Sequence, residues 1–137
     1  MFTQTRSSQQ SKSSMYHAVQ TDTDLDTATP HRLVVMLFEG FFDACSQARG
    51  HMLTGNIELK CRSLARAVRI VDEGLKAPLD LDGGGELAKD LRGLYTYVGV
   101  RLTHANLHND DSAIVECQRL LRPVQAAWTE IGAKVGR

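Results

Sequence analysis

Cysteine, proline and aromatic residues are all scarce in this 137-residue sequence, and neither charge sign prevails. The three cysteines, Cys45, Cys61 and Cys117, are odd in number and none lies in a CxxC pair. That pattern argues against a disulfide framework and against a zinc knuckle. Three prolines and 6% aromatics are few for an all-β sandwich. The 16 basic and 16 acidic residues cancel to zero net charge, whereas a chain held mainly on nucleic acid or an anionic membrane carries a basic excess. No apolar run approaches membrane-spanning length. Met1 to Ser14 lacks the apolar centre of a signal peptide. The expectation is a cytoplasmic protein with no nucleic-acid partner and no membrane insertion.

What is present is helical patterning. Residues 1–14 are mostly Ser, Gln and Thr and cannot bury enough apolar surface to offset their ordering entropy, so they read as a disordered tail. Residues 15–137 then form a single domain, long enough to bury a core without staples. It opens with a short apolar patch, Met15, Tyr16, Ala18 and Val19, expected to form one or two helical turns. Thr29-Pro30 is a strong helix start, because Thr caps free N–H groups and Pro suits the first helical position. The first long helix is predicted to reach Leu53. A second runs from Asn56 to near Ala77, a third from Gly85-Glu86 to about Leu107, and a fourth from the Asn109–Ser112 cap cluster to about Lys134. Pro123 is expected to kink the fourth helix locally.

Each helix carries an apolar stripe. The first is Leu33, Val34, Leu37, Phe41, Ala44 and Ala48; the second is Ile57, Cys61, Leu64, Val68, Val71 and Leu75. The third is Leu87, Leu91, Leu94, Val98, Leu102 and Ala105; the fourth is Ile114, Cys117, Leu121, Val124, Trp128, Ile131 and Val135. Four such helices on short loops predict an all-α, antiparallel four-helix up-down bundle.

The stripes do not exhaust the apolar residues. Val35, Met36, Phe38 and Phe42 flank the first core face, and Leu59, Ala67, Ile70, Gly74 and Ala77 make a second stripe on the second helix. On the third, Val100 and Leu107 point away from the predicted core, near Gly93, Tyr97 and His104. Aligned surplus apolar residues mark either a surface that receives an amphipathic segment or one covered by the chain itself.

Catalytic chemistry finds no purchase. His104 and His108 lie one turn apart, but two ligands do not close a metal site. Gly83-Gly84-Gly85 lacks the lysine and hydroxyl of a phosphate loop, and Glu86 would repel phosphate. The cysteines sit at apolar-periodic positions, as small buried hydrophobes do. Arg62, Arg66 and Arg69 read as a solvated face. No nucleophile, base and oxyanion hole assemble, so the chain reads as a non-enzyme needing no metal or cofactor.

Several motifs fall in a definite order along the chain. They begin with Tyr16, then Thr27-Ala28-Thr29-Pro30, Leu33 and Met36-Leu37-Phe38-Glu39-Gly40. The third long helix adds Gly84-Gly85-Glu86-Leu87-Ala88, Leu91, Leu94-Tyr95, Tyr97, Leu102 and Ala105-Asn106; Asp110 and Trp128 complete the set. In this order they resemble the FliS family of flagellin export chaperones, and the resemblance covers residues 15 to 131. Leu37-Phe38-Glu39-Gly40 stands where the family usually shows Leu-Tyr-Asp-Gly, losing a phenol hydroxyl, and Asp90 stands where asparagine is common. The resemblance implies a cytoplasmic bundle that binds the C-terminal region of flagellin, prevents its early polymerisation, and delivers it to the flagellar type III export apparatus, with the export gate as a further partner.

On this reading the flagellin tail folds as it binds, laying amphipathic segments over the surplus stripes. The expected contact residues are Tyr16, Val35, Phe42, Ile70, Tyr97, Val100, Asn106 and Leu107. Tyr16, Tyr97 and Asn106 stand at family-motif positions; the others come from the helical wheel. The free chain is expected to be a monomer or weak homodimer, with the patch around Tyr16 over part of the groove. Two rival readings are a structural homo-oligomer and a histidine phosphotransfer bundle. The latter lacks its His-x-x-Lys-Gly site, since His51 is followed by Met52-Leu53-Thr54-Gly55.

Overall fold

The computed structural model describes residues 29–134, which form four helices with no strand among them. We label them α1 (Pro30–Thr54), α2 (Ile57–Arg69, continued by a π-helical segment Ile70–Lys76), α3 (Gly85–His108) and α4 (Asp111–Lys134). The expected tail at 1–14, the short segment with Tyr16, and Val135 lie outside the described residues.

Local chemistry sets the helix ends. The Thr29 hydroxyl accepts from the Arg32 amide, with Pro30 at the first helical position. Gly55, at φ 75°, closes α1 in the left-handed conformation that glycine adopts without strain. Asn56 then caps α2 through its side chain on the Leu59 amide. Asn109, also left-handed at φ 53°, ends α3, and Asp110 accepts from the Ser112 amide at the start of α4. Turns this short make sequential helices antiparallel neighbours. α1 packs on α2 and α4, and α3 packs on α2 with its π segment and on α4, closing a ring around one core. Pro123 sits within α4, which continues past it to Lys134.

The core is deeper on α1 than the sequence suggested. Phe38 and Phe41 are fully buried, and Met36 and Phe42 nearly so. The flanking set is therefore not a free surface: α1 is covered on the sides facing both α2 and α4. Phe42 was expected at a partner interface. It instead joins the core, with the Arg122 guanidinium 4.0 Å above its ring.

On α2 the buried face is broader than the predicted stripe: Leu64, Val71 and Leu75 are buried as expected, and part of the surplus stripe joins them. Ala67 and Ile70, placed on the surplus stripe, are fully buried, whereas Ile57, placed in the core, is 68% exposed. Ile70 is thus a core residue and not a contact residue. Small buried residues, Gly40, Ala44 and Ala48 on α1 and Ser63 and Ala67 on α2, let the helices approach closely, so that Ala67 and Ile70 are covered beside Leu64 and Val71. Leu87 and Ile131 were also expected in the core, but both lie near helix ends and stay exposed. The π-helical turn had no sequence signal. Its wider ring, closed by the Ala77 amide on the Asp72 carbonyl, spaces buried Ile70 and Leu75 five residues apart.

Candidate functional site

One side of α2 and its π segment packs along α3. Val68, Asp72 and Lys76 from α2 and the π segment, and Thr96, Gly99, Val100 and Thr103 from α3, line a cleft of about 310 Å³. Asp72 and Lys76 pair at 3.5 Å at its mouth. The hydroxyls of Thr96 and Thr103 donate to carbonyls of their own helix, Arg92 at 2.8 Å and Gly99 at 3.0 Å. The cleft is therefore less polar than its residue names suggest.

Exposed apolar residues extend this cleft. Val100 is 61% exposed and Leu107 77%. Seven residues apart, they share one azimuth on α3 at about 100° per residue. Ile57 stands where α2 begins and α3 ends, a neighbourhood fixed by the contacts of Lys60 and Cys61 with Asn106. Ile57, Val68, Val100 and Leu107 thus lie along the α2–α3 face.

The expected contact residues divide. Val100 and Leu107 fall on this face and are open to solvent. Asn106 is half-buried at its end, its side-chain oxygen accepting from the Cys61 thiol at 3.3 Å. Tyr97 is on the α4 side of α3. Its phenol donates to Glu116 at 2.5 Å, and Arg101 Nε donates to the same carboxylate at 2.8 Å. The Tyr97 bond first, then Arg101, holds Glu116 below the usual carboxylate range, and the same bond pushes the Tyr97 phenol up. Val35 is half-buried on α1, away from the cleft lining. Phe42 and Ile70 are core, and Tyr16 is outside the described residues.

A second apolar hollow opens where α1 starts. Pro30, Leu33, Leu37, Leu75, Leu79 and Trp128 are among the residues around its 360 Å³. Tyr95 forms part of its wall, and burial raises its phenol to about 12.

Sequence reasoning missed Ile57, Val68 and Lys60. Ile57 fits a core stripe by spacing alone, but the first residue of a helix projects beyond the layer that its neighbours cover. Lys60 carried a readable signal, since Lys60, Leu64, Ala67 and Val71 follow core spacing of four, three and four. Among the described residues no group of three or more metal-ligating side chains assembles, and no helix is long and apolar enough to cross a membrane.

The family model described as flagellar protein FliS matches residues 12–135. A flagellar secretion chaperone FliS of Salmonella typhimurium is 41% identical over 87% of this chain and 88% of its own length. The Escherichia coli K12 protein of the same description is 36% identical over 84% of this chain and 85% of its own. A flagellar secretion chaperone FliSB of Pseudomonas aeruginosa is 38% identical over 85% of this chain and 91% of its own. The chain belongs to the FliS family, whose members are flagellar secretion chaperones and not enzymes.

Proposed function

We propose that this chaperone binds the C-terminal region of flagellin in the cytoplasm, keeps it from polymerising early, and presents it to the flagellar export apparatus, including the export gate. The observation that carries this reading is the line of exposed apolar residues, Ile57, Val100 and Leu107, along the α2–α3 cleft of a chain in this family. Monomeric surfaces seldom align such residues unless they receive a partner.

The magnitudes say how much surface the partner must use. Fully covering one such side chain stabilises the complex by about 1.5–3 kcal/mol. Ordering an unfolded segment costs about 2–5 kcal/mol or more. Association costs a further sum of about 4–15 kcal/mol in overall freedom, so three residues alone, at roughly 5–9 kcal/mol in all, do not suffice. A productive segment therefore also covers Val68 and the threonines of the cleft, then continues onto further apolar ground. Asn106 supplies a polar contact at one end and Tyr97 an aromatic edge toward α4, while Val35 on α1 and Tyr16 are contacts for parts of the segment beyond the cleft.

Co-purification tests the reading. The chain should retain intact flagellin and lose flagellin from which the C-terminal segment has been deleted. Equal retention of both would refute it. A light-scattering mass of the free chain tests the rival role as a structural oligomer: a stable dimer without flagellin affinity would favour that rival.

A further inference from the structure

Lys60 is the one charged side chain that is buried among the described residues, at 5% exposure. Burying an ammonium is costly unless its N–H groups find acceptors. Its partners are both on the far side of the cleft end. Nζ donates to the main-chain oxygen of Asn106 at 3.0 Å and to Asn109 Oδ1 at 3.1 Å.

The main-chain acceptor has a definite origin. In a continuing α-helix the Asn106 carbonyl would take the Asp110 amide. Here that amide turns back to Ala105, as does the amide of left-handed Asn109. The Asn106 carbonyl is thus one of the oxygens left over at a helix end, and Lys60 satisfies it with a cation placed at the negative end of the α3 dipole. The neighbouring Cys61 thiol bonds the Asn106 side chain. Two consecutive α2 residues therefore grip both the backbone and the side chain of a single α3 residue. Leu107 follows immediately, and Ile57 is one turn before Lys60.

We propose that Lys60 is a positioning residue for the binding face: it fixes the last turn of α3 against the first turns of α2, and so sets the separation and register of Ile57, Asn106 and Leu107. It does not itself need to touch the partner. This inference rests on the α2–α3 face being the flagellin seat.

The test is a double-mutant cycle on affinity for a flagellin C-terminal segment, read by titration calorimetry. Lys60→Met removes the donor. Asn109→Gly removes one acceptor while keeping a residue suited to the left-handed turn, and it serves where Lys60→Met fails to fold. Bonds to a charged donor are strong enough that Lys60→Met should weaken binding by about tenfold or more. Asn109→Gly should weaken it less, and the double variant should lose less than the product of the two. Amide exchange at residues 106–110 should quicken in Lys60→Met, with the rest of α3 unchanged. If the unmodified chain binds and the folded variants bind equally well, the positioning role is overturned while the function stands. If the unmodified chain does not bind, the function reading fails, and this inference fails with it.

Discussion

The Lys60 ammonium lies 3.0 Å from the backbone oxygen of Asn106, tying the start of α2 to the end of α3. This contact joins the fold to the proposed function. The same turn that completes the bundle presents Leu107 and holds Asn106. Several consequences can be measured.

The burial of Ile70 and the exposure of Val100 separate stability from binding. Ile70 is fully buried and Val100 is 61% exposed. Ile70→Ala should destabilise the fold by about 2–5 kcal/mol, whereas Val100→Ala should stay within roughly 0.5 kcal/mol of the unmodified chain. Urea denaturation of both variants checks the contrast. A large loss for Val100→Ala would place that side chain in the core.

Glu116 links acid stability to the α3–α4 contact. Its carboxyl pKa is lowered by the Tyr97 bond and then by Arg101. A carboxyl lowered in the folded state stabilises the fold above its unfolded value, near pH 4.3, and that contribution is lost as pH falls through the folded value. Glu116→Gln should therefore flatten the decline in stability as pH is lowered below about 4.3. Denaturation midpoints measured across that range decide it; unchanged curvature would contradict the assignment.

The cysteines should react unequally. Burial raises the Cys117 thiol to about 12 and raises that of Cys45 further, with the charge of Cys117 adding to the effect on Cys45. Only thiolates are strong nucleophiles. Brief treatment with iodoacetamide under native conditions should modify half-buried Cys61 first. Cys45 and Cys117 should be modified only after denaturant is added. Mass spectrometry of the peptides reads the order, and early labelling of Cys117 would contradict the packing.

Helix boundaries were legible because capping is local. Thr29, Asn56 and the Asn109–Asp110 pair each act within a turn of where they stand, and they end the helices where the residue types suggest. The breadth of the face that α2 buries was not legible. Its sequence carries two apolar stripes, and how much of the second is buried beside the first depends on how closely the small residues of α1 and α2 let the backbones approach. The π-helical turn at Ile70–Lys76 was hidden for a related reason, since a ring one residue wider leaves the periodicity of a short segment almost unchanged. Val100 and Leu107 were found because they lie opposite the core of α3, where rotation by half a stripe does not bury them. Phe42 was misplaced because an aromatic on a flank looks the same in sequence whether or not the next helix covers it.

The central claim is that the outward face of α3 along the α2 cleft receives the flagellin C-terminal segment. Its most direct test is calorimetric titration of that segment into the Val100→Asp, Leu107→Asp double variant. Both residues are solvent-exposed, so circular dichroism should show an intact helical fold. The account predicts affinity reduced by about a hundredfold or more, equivalent to covering two apolar side chains. Affinity equal to that of the unmodified chain, with the fold intact, would contradict it.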